Sequence, residues 1–156
     1  PGSKPGIRAV FTNLAFIACV TQVLLIYAEA AATKWVGIDW REGSAIYYAI
    51  HLRHYADGWV AEIFGSQKFL LVIAAYLTLL YQTVFPFLIW FRKFKYPLLV
   101  AGVLFHLGIA VFLSLYDFGL ALIVAYALFV DESWAKRAVM LMPDVLIPRS
   151  LRAARQ

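Results

Sequence analysis

IRAVFTNLAFIACVTQVLLIYAEAAAT, residues 7–33, is an apolar run long enough to cross a membrane, and it decides the fold class. A membrane helix needs about 20 apolar residues at a rise of about 1.5 Å each. The run nevertheless holds Asn13, Gln22 and Glu29, and Lys34 follows it directly. An ionised group at the centre of the hydrocarbon costs about 2.5–3.5 kcal/mol on insertion scales. We therefore predict an integral membrane protein whose interior polar groups face protein, water or a ligand.

The composition of the whole chain supports the membrane class. Hydrophobic residues make up 63% of the 156 residues, whereas soluble domains average about 45–50%. A soluble core of this size could not bury so much apolar surface. Aromatic residues reach 17%, as expected of a protein with aromatic belts at both membrane interfaces.

Four apolar segments, 7–33, 69–90, 97–115 and 118–130, predict an all-α fold, a polytopic bundle of membrane helices within residues 1–132. The fourth segment is short for a full crossing. The stretch between the first two segments, 34–68, is predicted to be an external loop with an interfacial helix that starts at Gly43 or Ser44. Residues 133–156 are predicted to form a basic amphipathic tail.

Charge predicts how the segments are oriented. Cytoplasmic flanks of membrane proteins carry an excess of Lys and Arg. Here Lys4 and Arg8 lie at the start of the first segment, a basic cluster from Arg92 to Lys95 separates the second from the third, and the tail is basic. Four crossings place all three on one side, so we expect both termini in the cytoplasm. The net charge of +5 is then a topology signal, and no nucleic-acid binding is expected.

The first candidate site surrounds the end of the first segment. Glu29 and Lys34 lie there, and Trp40 follows in a turn predicted to be at the depth of the lipid headgroups. Lys34 has two interpretations. It can anchor the end of the helix by reaching toward the interface, or it can be partly desolvated and act as a base. Trp40 is a candidate cofactor contact.

The second candidate is His106, which lies in the middle of the third segment. A histidine within the bilayer needs a partner. It can donate a hydrogen bond to a carbonyl of a neighbouring helix, carry a proton, or act as an axial ligand to haem or chlorophyll. For the last of these, Gly102 or Gly108 would give a flat ring room beside the imidazole.

A metal site is not predicted. His51 and His54 are spaced three residues apart and share a helix face, but the sequence places no third ligand beside them. A zinc site needs three or four protein ligands, and an interfacial helix carrying two titratable side chains explains the pair equally well.

The block AAATKWVGIDWREGSAIYY, residues 30–48, resembles the signature of the horizontally transferred transmembrane domain. Vitamin K-dependent gamma-carboxylases and many bacterial proteins share that membrane domain. A second stretch, from Leu104 through Phe118 to Phe129, is similar to the last two spans of the family. The resemblance covers residues 22–130 and matches the C-terminal portion of the family domain. It aligns Lys34 with the motif lysine and His106 with the histidine of the later span.

The resemblance implies a function. In the carboxylases the motif lysine deprotonates a reduced quinone, so a quinone- or lipid-handling protein is expected, with Lys34 as the base and Glu29 and His106 in support. A desolvated amine at the membrane face suits a lipid-soluble quinol. The carboxylases hold their glutamate substrate on an external domain that residues 1–156 do not match, so glutamate carboxylation is not carried over. The bacterial members imply a bacterial inner membrane.

The alternative is a non-catalytic accessory subunit. A small bundle with polar groups inside its spans is typical of a chain that packs against others. Such a subunit would bind a larger redox or photosynthetic membrane complex and hold quinone or pigment at His106. Both interpretations place the chain in a lipid bilayer, and the second adds other membrane protein chains as partners.

Overall fold

The computed structural model describes residues 6–52 and 58–131, and within these ranges every regular element is a helix. The all-α prediction is therefore confirmed. The helices are α1 (Ile7–Val36), α2 (Ile38–Arg41), α3 (Ala45–His51), α4 (Gly58–Phe64), α5 (Lys68–Leu88), α6 (Arg92–Phe112) and α7 (Tyr116–Ala125), which continues as a 3-10 helix over Tyr126–Phe129. By length and composition α1, α5 and α6 can each cross a membrane, and 116–129 is a shorter apolar segment.

Among α1, α5 and α6, three helix ends differ from the predicted segments by three residues or more, and one of these is the end of α6, at Phe112 rather than Leu115. α1 runs past Thr33 to Val36 and ends at Gly37, whose N–H donates to the carbonyls of Thr33 and Lys34. α6 starts at Arg92 rather than at Pro97, so the predicted basic loop forms the first turn of a helix. Pro97, the sixth residue of α6, has no N–H and leaves the Lys93 carbonyl without its helical donor.

The last two helices form an antiparallel hairpin. Its link, Leu113 to Leu115, contains Ser114 with a φ of 53°. At the open end, the Lys95 ammonium contacts one Asp131 carboxylate oxygen at 2.8 Å, and the Tyr96 hydroxyl donates to the other at 2.8 Å. The short segment 116–129 therefore returns the chain to the end of the bundle where α6 began. The predicted tail, 133–156, lies outside the described residues.

Two helix pairs build the bundle: α1 packs along α5, and α6 packs along α7. The pairs meet in one apolar cluster formed by Val20, Val23, Tyr27, Phe85, Ile89, Leu99, Tyr126 and Phe129. Close approach of α7 to α6 depends on Gly119, where a Cβ would lie 2.7 Å from the carbonyl oxygen of His106. Small residues permit such backbone contact in helical membrane proteins.

The three short helices cover one end of the bundle. Helix α3 starts after Ser44, as predicted. Gly43 has a φ of 77°, which an L side chain rarely adopts, and so turns the chain from α2 into α3. The Tyr76 hydroxyl donates to the Arg41 carbonyl at 2.7 Å and ties α2 to α5. A small apolar cluster of Ile50, Val60 and Leu71 joins α3 and α4 to the start of α5.

Candidate functional site

A chain of four polar side chains crosses the interior of the bundle. The Tyr27 hydroxyl of α1 lies 2.6 Å from Nε2 of His106 on α6 and also contacts the Tyr126 hydroxyl. The Tyr126 and Tyr81 hydroxyls are 2.9 Å apart, and the Tyr81 hydroxyl lies 3.3 Å from the Leu98 carbonyl oxygen. We call these four residues the Tyr–His chain. It links α1, α5, α6 and the 3-10 helix through one set of hydrogen bonds.

The surrounding sequence makes room for this chain. Polar atoms buried away from water need hydrogen-bond partners, and here the tyrosine hydroxyls supply one another. They converge on Gly102, where a Cβ would clash with both the Tyr81 and the Tyr126 hydroxyls. Phe85 stacks on the Tyr27 ring with centroids 4.2 Å apart. The glycine thus provides the space and the phenylalanine holds the first ring in place.

The hydrogen bonds can be given a direction. The Leu98 carbonyl only accepts, so Tyr81 donates its single proton there and accepts from Tyr126. By the same count Tyr126 accepts from Tyr27, and Tyr27 accepts from Nε2–H of His106. This order leaves Nδ1 of His106 as a lone pair, and it has no hydrogen-bond partner among residues 6–52 and 58–131. The tautomer follows from proton counting along the chain.

The ligand hypotheses for His106 do not fit its surroundings. The residue is 1% exposed, Nε2 is bonded to Tyr27, and the rings of Phe105 and Phe118 lie 5.0 and 5.8 Å away. The gap at Gly102 that was expected to admit a flat ring is filled by the two tyrosine hydroxyls. A haem or chlorophyll macrocycle has no room against this imidazole.

A large apolar cavity lies on the other side of α5, between α5 and α6 and under α3 and α4. Its volume is about 750 Å³, within the range typical of ligand pockets. Along α5 its lining extends from Leu70 to Val84, a length of about 21 Å at 1.5 Å per residue. Its rim residues include Leu80 and Leu104, which are 58% and 65% exposed. The cavity therefore opens sideways, toward the region where lipid would lie.

Two hydroxyl groups interrupt the apolar lining of this cavity. Of the described lining residues, only Thr78 and Tyr81 carry polar side-chain atoms. They are three residues apart on one face of α5. Tyr81 is also the last member of the Tyr–His chain, and Leu98, which accepts its proton, lines the cavity too. The cavity and the Tyr–His chain thus meet at one side chain.

Lys34 and Trp40 lie together at the end of α1. The Lys34 ammonium lies 5.0 Å from the centroid of the Trp40 ring, a cation–π distance, and both side chains are half-buried. Neither residue lines the cavity. No hydrogen bond, ion pair or ring contact within the described ranges joins Lys34 to His106. No contact within the described ranges therefore joins these two residues, which the sequence predicted to share one site.

Glu29 lies on the exposed face of α1, as do Gln22 and Asn13. Its backbone carbonyl accepts from the Thr33 hydroxyl at 2.8 Å, but its carboxylate has no partner among residues 6–52 and 58–131. His106 is buried within this chain, as expected, whereas the Glu29 carboxylate is not covered by any part of the chain that the structure describes. Helical periodicity aligned Glu29 with Gln22 correctly, but it could not say whether that shared face would be covered.

Metal binding finds no support in the part of the chain that the structure describes. No group of three His, Cys, Asp or Glu side chains comes together there. His54, one half of the predicted histidine pair, lies outside the described residues. Nδ1 of His51 contacts the Tyr47 carbonyl oxygen at 2.7 Å, which is an ordinary bond within one helix turn.

The three tyrosines of the Tyr–His chain were not predicted from the sequence. Each lies inside an apolar segment, where a hydroxyl group must find a partner, and that requirement was the available signal. Tyrosine is also common at membrane interfaces, so its presence alone did not single out Tyr27, Tyr81 or Tyr126. Which of the many tyrosines would face one another depends on the relative rotation of three helices, which no local pattern specifies.

No protein-family model matches this chain, and no curated protein or solved structure matches it either.

Proposed function

We propose that this protein binds a lipid-soluble molecule of the quinone or lipid class in the cavity between α5 and α6. The observation that carries the proposal is the cavity itself, about 750 Å³ in volume and apolar except for two hydroxyls. Its length of about 21 Å suits an acyl or isoprenoid chain. A large apolar pocket with a few convergent polar groups is the usual form of a small-molecule site.

The route into the cavity supports a ligand that arrives from the bilayer. The rim is formed by exposed leucines of α5 and α6, among them Leu77, Leu80 and Leu104. A molecule dissolved among acyl chains would meet these side chains without passing through water. A water-soluble metabolite would instead have to cross an apolar rim, which disfavours it.

The proposed setting is a bacterial inner membrane with both termini in the cytoplasm. Arg8, Arg92, Lys93 and Lys95 lie at the end of the bundle where α1 and α6 begin, and a concentration of positive charge is typical of the cytoplasmic side. The opposite end carries acids together with bases, as in the segment Asp39 to Glu42. The cavity would then extend from the external side toward the middle of the membrane.

Binding is tested with purified protein in lipid nanodiscs and a radiolabelled short-chain ubiquinone analogue. Ala101→Phe and Ala74→Phe each place a ring inside the cavity and are expected to reduce binding at least tenfold. Val124→Phe, on the exposed face of α7, is the matched control and should bind like the wild type. If the wild type binds no more probe than empty nanodiscs, or if all four proteins bind alike, the proposal fails.

Lys34 is proposed as a base that acts on a reduced ligand, as the resemblance to the carboxylase-like domain implies. Its position supports this in one respect: the amine is half-buried, at the end of α1 that lies on the same side of the bundle as α3 and α4. Because Lys34 does not line the cavity, the proposed role requires the quinol to meet its amine at the membrane face beside the end of α1. Lys34→Ala should abolish formation of the quinolate anion from an added quinol, measured by its ultraviolet absorption. Quinone binding should persist, and Lys68→Ala should leave both unchanged. Quinolate formation that survives Lys34→Ala would refute the role.

The second candidate function, an accessory subunit of a larger membrane complex, is favoured by Glu29. An exposed carboxyl group about 10 Å from the end of a membrane helix is costly in lipid, and a donor on a partner helix would remove that cost. Glu29→Leu should release a stoichiometric partner chain that stays bound to the wild type during native mass measurement, whereas Glu62→Leu on α4 should retain it. A wild-type chain that runs as a free monomer from its native membrane would exclude this candidate.

A further inference from the structure

We infer that the cavity recognises a carbonyl group on its ligand, with the hydroxyls of Thr78 and Tyr81 as the two hydrogen-bond donors. The inference rests on the proposed binding function and names the polar group of the ligand. Its substrate class is an apolar molecule that carries a ketone, ester or quinone carbonyl. The grounds are the positions of two hydroxyls in an otherwise apolar lining and the direction of the hydrogen bonds behind one of them.

Thr78 provides the first observation. Its side chain is only 9% exposed and lines the cavity. Its hydroxyl makes no hydrogen bond within residues 6–52 and 58–131. Its oxygen is not among the fully enclosed atoms that lack a partner, so it is open to the cavity. Threonines in membrane helices commonly donate to the carbonyl four residues back. Thr83 on the same helix makes that bond, to Leu79 at 2.7 Å. Thr78 therefore keeps its proton available to a group inside the cavity.

Tyr81 provides the second observation. Its proton is directed at the Leu98 carbonyl oxygen over 3.3 Å, longer than the usual 2.5–3.0 Å for a hydroxyl donor. That carbonyl is already an acceptor within α6, from the N–H four residues later. A ligand oxygen could therefore take the Tyr81 proton at little cost to the protein. Tyr81 lines the cavity beside Leu98, and its oxygen accepts from Tyr126 at 2.9 Å, so the hydroxyl can offer its proton to a ligand at this edge of the cavity.

The Tyr–His chain strengthens this donor. Hydrogen bonds that run in one direction polarise one another, and here each proton from Nε2 of His106 onward is directed toward Tyr81. His106 is in this sense a positioning residue, because it supplies the first donor and meets no ligand itself. A carbonyl oxygen has two lone pairs and can accept from both hydroxyls. A ligand whose polar end only donates would leave the Thr78 proton without an acceptor and the Tyr81 proton on its long contact to the Leu98 carbonyl.

The test uses a long-chain methyl ketone with a carbon-13 carbonyl and the alkane of equal length, each added to the protein in nanodiscs. In the wild type the ketone should bind about fivefold to tenfold more tightly than the alkane. Its carbonyl stretch should move to lower frequency than in lipid alone. The double variant Thr78→Val, Tyr81→Phe should bind both probes equally and show no displaced band. Tyr126→Phe should give a smaller displacement, because it removes the donor behind Tyr81. Tyr116→Phe, on the exposed surface, is the control.

The outcomes separate the two proposals. If neither probe binds the wild type, the binding function itself fails. If ketone and alkane bind with equal affinity and the carbonyl band is not displaced, the cavity binds apolar molecules but the carbonyl inference is wrong. A displaced band that survives in the double variant would also overturn it, because the donors would then lie elsewhere. Tyr–His chain variants that fail to fold are identified by their circular dichroism, and the single variant Thr78→Val, which preserves shape, then carries the comparison.

Discussion

The two faces of α5 meet their neighbours in opposite ways. On the side toward α1 the side chains are closely packed. Leu79 and Phe85 are fully buried, and the Phe85 ring stacks on the Tyr27 ring. Toward α6 the helices stand apart around a cavity of about 750 Å³. Tyr81 lies on the border between the two and belongs to both. The difference indicates that the Tyr–His chain and the packed face toward α1 stabilise the bundle, so the face of α5 toward α6 does not need to be closely packed.

The largest difference between the two faces of α5 is expected when one side chain on each face is truncated to alanine. Phe85→Ala should destabilise the protein by about 3–5 kcal/mol, because it leaves a void among packed rings. Leu80→Ala, at the exposed rim of the cavity, should cost no more than about 0.5 kcal/mol. Unfolding in mixed micelles with increasing denaturing detergent measures both. Equal losses at the two positions would mean that the cavity collapses in the membrane.

A second pair of variants tests whether the Tyr–His chain depends on its glycine. Gly102→Ala places a methyl group against the hydroxyls of Tyr81 and Tyr126 and should cost about 2 kcal/mol, through overpacking and a lost hydrogen bond. Gly108→Ala is the matched control on the same helix. A Cβ there meets only Phe112, at 3.8 Å. Alanine is the better helix former, so this variant should gain up to about 1 kcal/mol.

Unfolding in mixed micelles measures the stability of both glycine variants. A destabilised Gly108→Ala would show that the cavity-facing side of α6 is as tightly packed as the other. An unaffected Gly102→Ala would show that the tyrosine hydroxyls lie farther from the helix backbone than described.

The smallest expected effect concerns the contact that joins α6 to the end of the 116–129 segment. The Lys95 ammonium and the Tyr96 hydroxyl hold the pKa of Asp131 below its ordinary value of 3.8. A carboxyl group with a lowered pKa in the folded protein stabilises it above the ordinary value, and that contribution is lost as the pH falls through the lowered pKa. Melting temperature should therefore drop slightly on acidification in this range, and Asp131→Asn should remove that part of the drop. Because the contact is partly exposed, added salt should weaken it.

Much of the fold follows from hydropathy. The boundaries of the predicted segments 69–90 and 118–130 lie within three residues of the ends of α5 and of the segment 116–129. This agreement is expected because the length of a span follows from the length of the apolar run in the sequence. His106 also stands out in the sequence, because it is a single imidazole within an apolar segment. These are properties of one helix at a time.

What could not be predicted depends on how the helices face one another. Tyr27, Tyr81 and Tyr126 are far apart along the chain, and their meeting depends on the rotation of three helices about their axes. The proposed grouping of Lys34, Glu29 and His106 had the same weakness. Glu29 and Lys34 are close in sequence, but the first is exposed on α1 and the second lies against Trp40. The cavity was unpredictable for a related reason: it reflects the spacing of two helices that are both apolar.

The short length of the segment 116–129 has a consequence for biosynthesis. Its α-helix has ten residues and its 3-10 helix has four, too few for a segment to partition into a bilayer by itself. Only three residues separate it from the end of α6, so the translocation machinery receives the two helices almost together. We therefore expect the hairpin to enter the lipid as one unit, with the longer helix inserting the shorter. A change that weakens α6 as an insertion signal should then impair insertion of both helices.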